Sequence, residues 1–534
     1  MNKLLSALSE AGIQLVVTDG KLKLRGAKGD MAAHLVEEVR RNREQLLAYL
    51  GSTEQLMRDV TLRQSAVIRQ ERDGASLPLS YAQQRLWFLD QLGEGTSHYN
   101  LPMVFHVEGE FDKHCAQQAI VRILARHEPL RTVFAMADGE ARQIVREPDG
   151  FAMECVDLSG MEPVQQEQAV QEAIIADSAA FDLSEDLMVR ARFLDLGSRR
   201  GVFLINMHHI ASDGWSMSIL VKEFVAQYRA LRECLPDPFS PLSIRYSDYA
   251  QWQRDWMSGP RLEEQLAYWE NQLAGIPLVH SLPLAHPRPQ LQRHRGARTE
   301  VQLNADLRGA LGDLAQRRQV TMFMVLHGAL SILLAGFGSA NDVVIGVPVA
   351  NRTQKELEDI IGFFVNTLVL RVDCSGNPSF TAFLEKVKAV NVDAQLNQDV
   401  PFDRLVERIK PARSLAYSPL YQIVFTMETG AAEEALALSG AKLSPIVPDE
   451  VAAKFDLVIT ASESERGIRV CMDYDTDLFE LATIDAMAAG LQEVLHAIVR
   501  DPSVPIANMP LLPSGKQEAL LRVVHDDCRH FPQT

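Results

Sequence analysis

Two adjacent histidines, His208 and His209, followed closely by Asp213 and Gly214, form the densest chemistry in this sequence. An imidazole titrates at about 6.5, so it can accept, donate or hold a proton near neutral pH. Taken alone, such a pair at a strand end is more often a structural support. A metal centre would need a further ligand, which Asp213 could supply, but no metal is assigned. The neighbouring residues say how the pair is held. Val202–Met207 is a β-rich apolar run, and Asp213-Gly214 closes a turn. Beyond it Met217, Leu220, Val221, Phe224, Val225 and Tyr228 recur at helical spacing. The histidines therefore sit where a buried strand gives way to a loop and then a helix, a rigid base from which to present a side chain.

Several common chemistries have no counterpart here. No G-x-G-x-x-G follows a strand, and there is no Walker phosphate loop, G-x-S-x-G elbow or H-E-x-x-H helix. Neither a nucleotide site nor a serine nucleophile nor a zinc helix is expected. The chain has 534 residues, 47% hydrophobic and 23% charged, with a net charge of −17. That length suggests about three domains. Its acidity argues against nucleic acid or an anionic membrane as a partner. The 6 cysteines are scattered without a C-x-x-C pair. This excludes a thiol-rich zinc site or a disulfide scaffold and suits a reducing, cytoplasmic setting. Glu10 interrupts what would be the apolar core of a secretory signal. The apolar segment 320–338 is of about the minimum spanning length. His327 and three glycines interrupt it, so it reads as a buried core helix.

Residues 1–50 look like a separate unit: a short helix, two alternating segments (IQLVV and KLKLR) joined by Asp19-Gly20, and a helix from Ala32 to Leu50. They carry 8 basic and 6 acidic residues, a net +2 that leaves −19 on the remainder. A basic head on an acidic body suggests a partner of its own. Residues 51–76 read as a linker, and strand-like and helix-like segments alternate from Leu77 to about residue 510. The Pro-rich stretch 277–289 is a candidate junction between two lobes.

At this point the motifs resemble a family. Residues 208–214 are similar to the HHxxxDG motif of the condensation domains of nonribosomal peptide synthetases, which resemble chloramphenicol acetyltransferase. Further signatures follow in that family's order: SYAQQRLWFLDQL (80–92), RHEPLRTVF (126–134), YSDYAQWQ (246–253), GVPVANR (346–352), IGFFVNTLVLR (361–371), NQDVPFDRLVE (397–407) and KFDLVIT (454–460). The last signature departs from the pattern: RSLAYSPL (413–420) keeps Arg413, Pro419 and Leu420, while Ser418 replaces an asparagine. No role is carried over to that loop. The histidines and DGWSM set the chain apart from cyclising and epimerising relatives. The opening segment resembles both the subclass taking an L-configured donor and the starter subclass taking an acyl donor. Residues 1–50 resemble the tubulysin-type αββαα docking domains found in such synthetases.

The resemblance implies an α/β (α+β) fold of two acetyltransferase-like lobes in a V-shaped pseudo-dimer, lobes 77–265 and 266–512, after the docking domain 1–50 and the linker 51–76. Residues 513–534 would begin a linker to an adenylation domain. The implied reaction is amide-bond formation: a carrier-bound aminoacyl amine attacks a peptidyl or aminoacyl thioester. The alternatives are N-acylation of a first amino acid from an acyl-coenzyme A or acyl-carrier donor, and a non-catalytic recruitment domain of the same fold. No cofactor would be bound by the chain itself; the phosphopantetheine arms belong to upstream and downstream carrier proteins. His209, the second histidine of the motif, is expected to make the catalytic contact, because an imidazole's ordinary pKa matches an amine titrating near neutrality; it would either take the proton or hold the amine by a hydrogen bond, and the family implies an oxyanion contact for the Gly214 N–H. It assigns support to His208, and to Asp213 paired with Arg352. Arg131 and Arg85 would brace the core, and Trp87 and Trp215 would pack. The exposed hairpin edge, with Lys21, Lys23 and Arg25, would receive the acidic C-terminal tail of an upstream subunit.

Overall fold

The computed structural model describes residues 14–18, 21–25, 66–69, 77–92, 99–137, 139–412, 414–429, 436–446 and 451–513. It separates into two compact units, 1–66 and 67–534. In the first unit β1 (Gln14–Thr18) and β2 (Lys21–Arg25) form an antiparallel hairpin with Thr18 opposite Lys21. The Asp19-Gly20 turn expected between them lies outside the described residues. The helices expected on either side, most of the linker, Arg413 and Cys528 lie outside the described residues.

Among its described residues the second unit holds sheets of seven, six and three strands, the two larger ones with separate cores. Its first lobe contains β3 (Leu77–Pro78), α1 (Tyr81–Leu92), β4 (Asn100–Gly109), α2 (Lys113–Arg126), β5 (Thr132–Ala137), β6 (Glu140–Val145), β7 (Glu154–Asp157), α3 (Pro163–Asp177), β8 (Val189–Gly197), β9 (Arg200–His208) and α4 (Gly214–Arg232). Strand β9 lies inside the sheet, between β4 and β8, and is buried from Gly201 to His208. Both of its faces are covered, which explains the unbroken apolar run. Phe203, Ile205 and Met207 pack with Ile120 and Ile123 of α2 and with Leu220 and Phe224 of α4. Val202 and Leu204 pack on the other face with Val170 of α3. Such double coverage favours continuous apolar sequence over alternation.

The second lobe contains α5 (Tyr246–Trp256), α6 (Gly259–Gln272), β10 (Arg295–Asn304), α7 (Ala305–Arg318), α8 (Met322–Gly338), β11 (Asp342–Val349), β12 (Asn366–Asp373), α9 (Phe380–Leu396), α10 (Phe402–Ile409), β13 (Ile423–Thr429), β14 (Leu436–Leu438), β15 (Ala441–Pro445), β16 (Val451–Ala452), β17 (Leu457–Ser464), β18 (Gly467–Asp475) and α11 (Leu481–Arg500). Its sheet runs β12-β11-β13-β17-β18-β10-β16. Helix α8 is apolar on every side because it is interior: Val325, Leu326, Ala329, Leu330 and Leu333 are all buried. His327 is buried with them, bonded to Asn391 of α9 at 3.0 Å. No helix among the described residues is long and apolar enough to cross a membrane.

Three features depart from a simple two-lobe reading. The β14–β15 hairpin leaves the second lobe and extends the sheet of the first, with β15 antiparallel to β4 and Leu443 buried in the first core. The Pro-rich stretch is not the lobe junction, because Leu266 and Trp269 of α6 already belong to the second core. It is instead pinned to that lobe: His280 Nε2 and Arg288 Nη1 meet Asp456 at 3.0 and 2.9 Å, and Ala285 N–H bonds to the Leu478 carbonyl. Within the segment read as linker, Val67 is buried beside Tyr246, Tyr249 and Phe364, and its N–H donates to Gln354 Oε1 at 2.8 Å.

Candidate active site

β9 ends at His208, and one tight turn, His209–Ala211, leads through Ser212 to Asp213, the N-cap of α4. The turn is fixed by burial of Ile210 and Ala211 and by Gln83 of α1, whose amide donates to the Ile210 carbonyl at 3.3 Å. His208 Nδ1 accepts the Ile210 N–H at 3.1 Å, so its proton is on Nε2. The ring is 2% exposed and meets Tyr99 and Phe181 edge-on, at 6.4 and 5.8 Å between centroids. Burial, then the charges of Arg190 and Lys454, push its pKa down to about 4. His208 is thus neutral and committed to holding the turn.

His209 is oriented the other way. Its Nδ1 lies 3.1 Å from the Ser212 carbonyl, which can only accept, so Nδ1 carries the proton. Nε2 keeps its lone pair and bonds to no protein group among the described residues. The ring is half-buried at the lobe junction, 5.3 Å from the ring of Phe363. Burial, then the nearby Lys454 ammonium, push its pKa down to about 3, against a weaker upward pull from the Ser212 bond. The sequence-based match between an ordinary imidazole and the incoming amine therefore does not hold. In this apolar, cation-flanked setting His209 stays neutral throughout the working pH range and offers a fixed acceptor.

Asp213 faces away from both histidines. One carboxylate oxygen accepts from Ser216 N–H at 2.8 Å and from Arg352 Nη2 at 3.1 Å, and the other from Phe364 N–H at 3.1 Å. The carboxylate and guanidinium are 0% and 2% exposed. Arg352 also donates to the Ser216 hydroxyl at 2.9 Å and the Ile360 carbonyl at 2.7 Å, and stacks 4.0 Å from the Phe364 ring. These partners engage both carboxylate oxygens and both terminal guanidinium nitrogens, which makes such a bridge tolerable in the interior, while the buried Arg352 Nε makes no hydrogen bond among the described residues. With its lone pairs so engaged Asp213 is no metal ligand, and no group of acidic, His and Cys residues among the described residues could hold a metal. Gly214 opens α4 and is exposed, with nothing within 4 Å of where a Cβ would stand. Its N–H belongs to the helix's electropositive first turn.

The other expected residues fall at varying distances from this centre. Arg131 braces backbone, donating to the Leu124 carbonyl at 3.0 Å and to the Arg146 carbonyl. Arg85 differs from a core brace: it is a half-exposed ion pair with Asp403 of α10 at 3.6 Å, joining the two lobes. Trp87 is half-buried against the first core, while Trp215 is exposed and donates to the Glu358 carbonyl at 2.9 Å. Lys21, Lys23 and Arg25 lie in β2, the second strand of the hairpin. Phe363, Lys454 and Ser212 were missed as site residues. Phe363 and Lys454 stand in recognisable signatures, but no local spacing shows that segments 150 or more residues downstream close on His209.

Comparison with known proteins fits this geometry. Residues 75–521 match the condensation domain family, and residues 1–51 match the TubC N-terminal docking domain. One of the linear gramicidin synthase proteins of Brevibacillus parabrevis is 39% identical over 469 residues, covering 87% of this chain but only 6% of that protein. The structure of the X-domain in complex with OxyB, from teicoplanin biosynthesis, superposes with a TM-score of 0.76 at 26% identity, over 84% of this chain and 99% of that one. The starter condensation domain of rhizomide synthetase, solved as a double mutant with C8-CoA and Leu-SNAC, gives 0.68 at 19% identity over 82% and 98%, which shows the shared fold. The family match places the chain among acyltransferases, and its lobes share the acetyltransferase-like fold of these structures. More narrowly, the chain belongs to the condensation domains of nonribosomal peptide synthetases, the amide-bond-forming members of that class.

Proposed function

We propose that this chain joins a peptidyl or aminoacyl thioester, delivered by an upstream subunit, to the amine of an aminoacyl group on a downstream carrier protein. The observation that carries the reading is His209: Nδ1–H tied to Ser212, Nε2 without a protein partner among the described residues, and a half-buried ring at the lobe junction. The amine nitrogen attacks the thioester carbonyl carbon. A C–N bond forms, the C–S bond breaks, and the proton lost from nitrogen ends on the departing pantetheine sulfur. A thiolate (pKa about 8.5) leaves readily, so no strong acid is needed. His209 Nε2 accepts a hydrogen bond from the amine N–H and aims the nitrogen lone pair at the carbonyl. Its low basicity makes it a positioning acceptor that relays the proton without storing it. The Gly214 N–H, at the start of α4, donates to the developing oxyanion. Orientation of this kind is worth about 7–11 kcal/mol. Asp213 and Arg352 hold α4 and the 360–364 segment together beneath that centre. His208, Arg131 and Arg85 act at one remove.

The head supports a donor arriving from another subunit. The β1–β2 hairpin offers a strand edge for a short C-terminal tail, with Lys21, Lys23 and Arg25 selecting acidic sequence. Charge reversal at these three positions is expected to weaken binding of an acidic tail peptide, most strongly at low salt. Equal affinity by calorimetry would remove charge from the selection. The reaction is tested by mass spectrometry of a loaded acceptor carrier. Extension with a peptidyl or aminoacyl carrier donor supports the proposal. Extension only with acyl-coenzyme A would make the chain a starter domain, and no extension with any donor would favour a recruitment role.

A further inference from the structure

Residues 361–364 form a strap crossing from one lobe to the other, and side chains hold its backbone at every residue. Ile361 N–H donates to His127 Nδ1 at 3.2 Å and Gly362 N–H to Ser216 Oγ at 3.1 Å. Tyr246 OH donates to the Phe363 carbonyl at 2.5 Å, and Phe364 N–H donates to Asp213 at 3.1 Å. His127 is itself fixed, with Nε2 on Glu223 at 2.9 Å. Glycine is required at 362, because a Cβ there would stand 2.1 Å from the Tyr246 ring. Ile361 is buried in the first core, and Phe364 beneath Tyr246 and Tyr249. Phe363 alone keeps a half-exposed side chain, and its ring lies over His209, 5.3 Å away and inclined by 59°. A rigidly held segment thus aims one benzyl group at the more accessible of the two paired histidines.

A thioester can be opened by water as well as by an amine, and an acceptor at Nε2 would serve either nucleophile. We infer that Phe363 is a positioning residue that keeps water away from His209 and so sets the choice of aminolysis over hydrolysis. This inference rests on the condensation reading above. In the competing reaction water oxygen bonds to the carbonyl carbon, the C–S bond breaks, and a free acid and a thiol result. The ring sets apolar surface against the His209 imidazole, 5.3 Å between centroids, and apolar surface offers a water no hydrogen-bond partner, while a tethered amine is held by its own arm.

The test measures free acid and amide product together, from a donor carrier incubated with a loaded acceptor carrier. Phe363→Ala is expected to raise the acid-to-amide ratio about tenfold or more, Phe363→Val to raise it less, and Phe363→Leu to stay near the parent. The added hydrolysis should disappear when His209→Ala is combined with Phe363→Ala. A merely structural role would slow both reactions and leave the ratio unchanged. The parental ratio in Phe363→Ala and Phe363→Val, or added hydrolysis that survives loss of His209, would overturn the inference. Absence of amide from the parent chain would instead overturn the condensation reading. Because the ring is half-exposed, the variants are expected to fold, which circular dichroism checks.

Discussion

Two histidines adjacent in sequence have opposite assignments, and the cause is which nitrogen each commits. His208 spends Nδ1 as an acceptor for its own turn, whereas His209 spends Nδ1–H as a donor and leaves Nε2 open. Nitrogen-15 spectra of histidine-labelled protein should therefore show His209 as a neutral Nδ1–H tautomer and His208 as a neutral Nε2–H tautomer at pH 6. With the His209 pKa pushed down to about 3, its protonated form should be absent there. An imidazolium signal at position 209 near pH 6 would mean that the site is wetter and less cationic than the surroundings of Phe363 and Lys454 make it.

The elements earn their lengths by what they hold in place. β9 brings the histidines to the lobe junction, α4 starts at Asp213, and the strap crosses beneath both. The β14–β15 hairpin ties the C-terminal half of the chain into the first lobe through Leu443. Leu443→Ala is expected to cost about 2–5 kcal/mol, seen as a lower urea midpoint, because it empties a buried site in a core built mostly from residues far upstream. A midpoint equal to the parent's would mean that the hairpin is dispensable to that core. Local elements were legible because they follow local rules. The apolar run of β9, the spacing of α4 and the Asp-Gly hairpin can each be read from adjacent residues. The hairpin crossover was not legible, since LALSGAKLS pairs as well with one sheet edge as another. The Pro-rich stretch misled because proline marks extended chain without saying which lobe it lies on. Of the site, the HHxxxDG segment was readable and Phe363 and Lys454 were not, because their nearness to His209 exists only through space.

At the scale of the molecule, buried neutral histidines couple the fold to pH. Burial lowers His208 and His327 from the ordinary 6.5 to about 4 each. Between these values the unfolded chain binds protons that the folded chain refuses, so stability falls as pH drops from about 6.5 to 4. Each histidine contributes about 1.4 kcal/mol per pH unit. Asp177 and Asp403, raised by burial, pull the other way, so the slope is best compared with a His327→Gln variant. That variant should lose one histidine's share of the acid sensitivity in urea titrations at pH 7, 6 and 5; identical slopes would place a proton on His327 in the fold. On the proposed reading, two tethered substrates meet at His209 Nε2. The direct measurement is intact-mass analysis of the acceptor carrier after incubation with a loaded donor carrier, for the parent chain and for His209→Ala. Amide product from the parent, with a rate about 10²–10⁴ lower in the variant, is expected; product formed by His209→Ala at the parent's rate would contradict it.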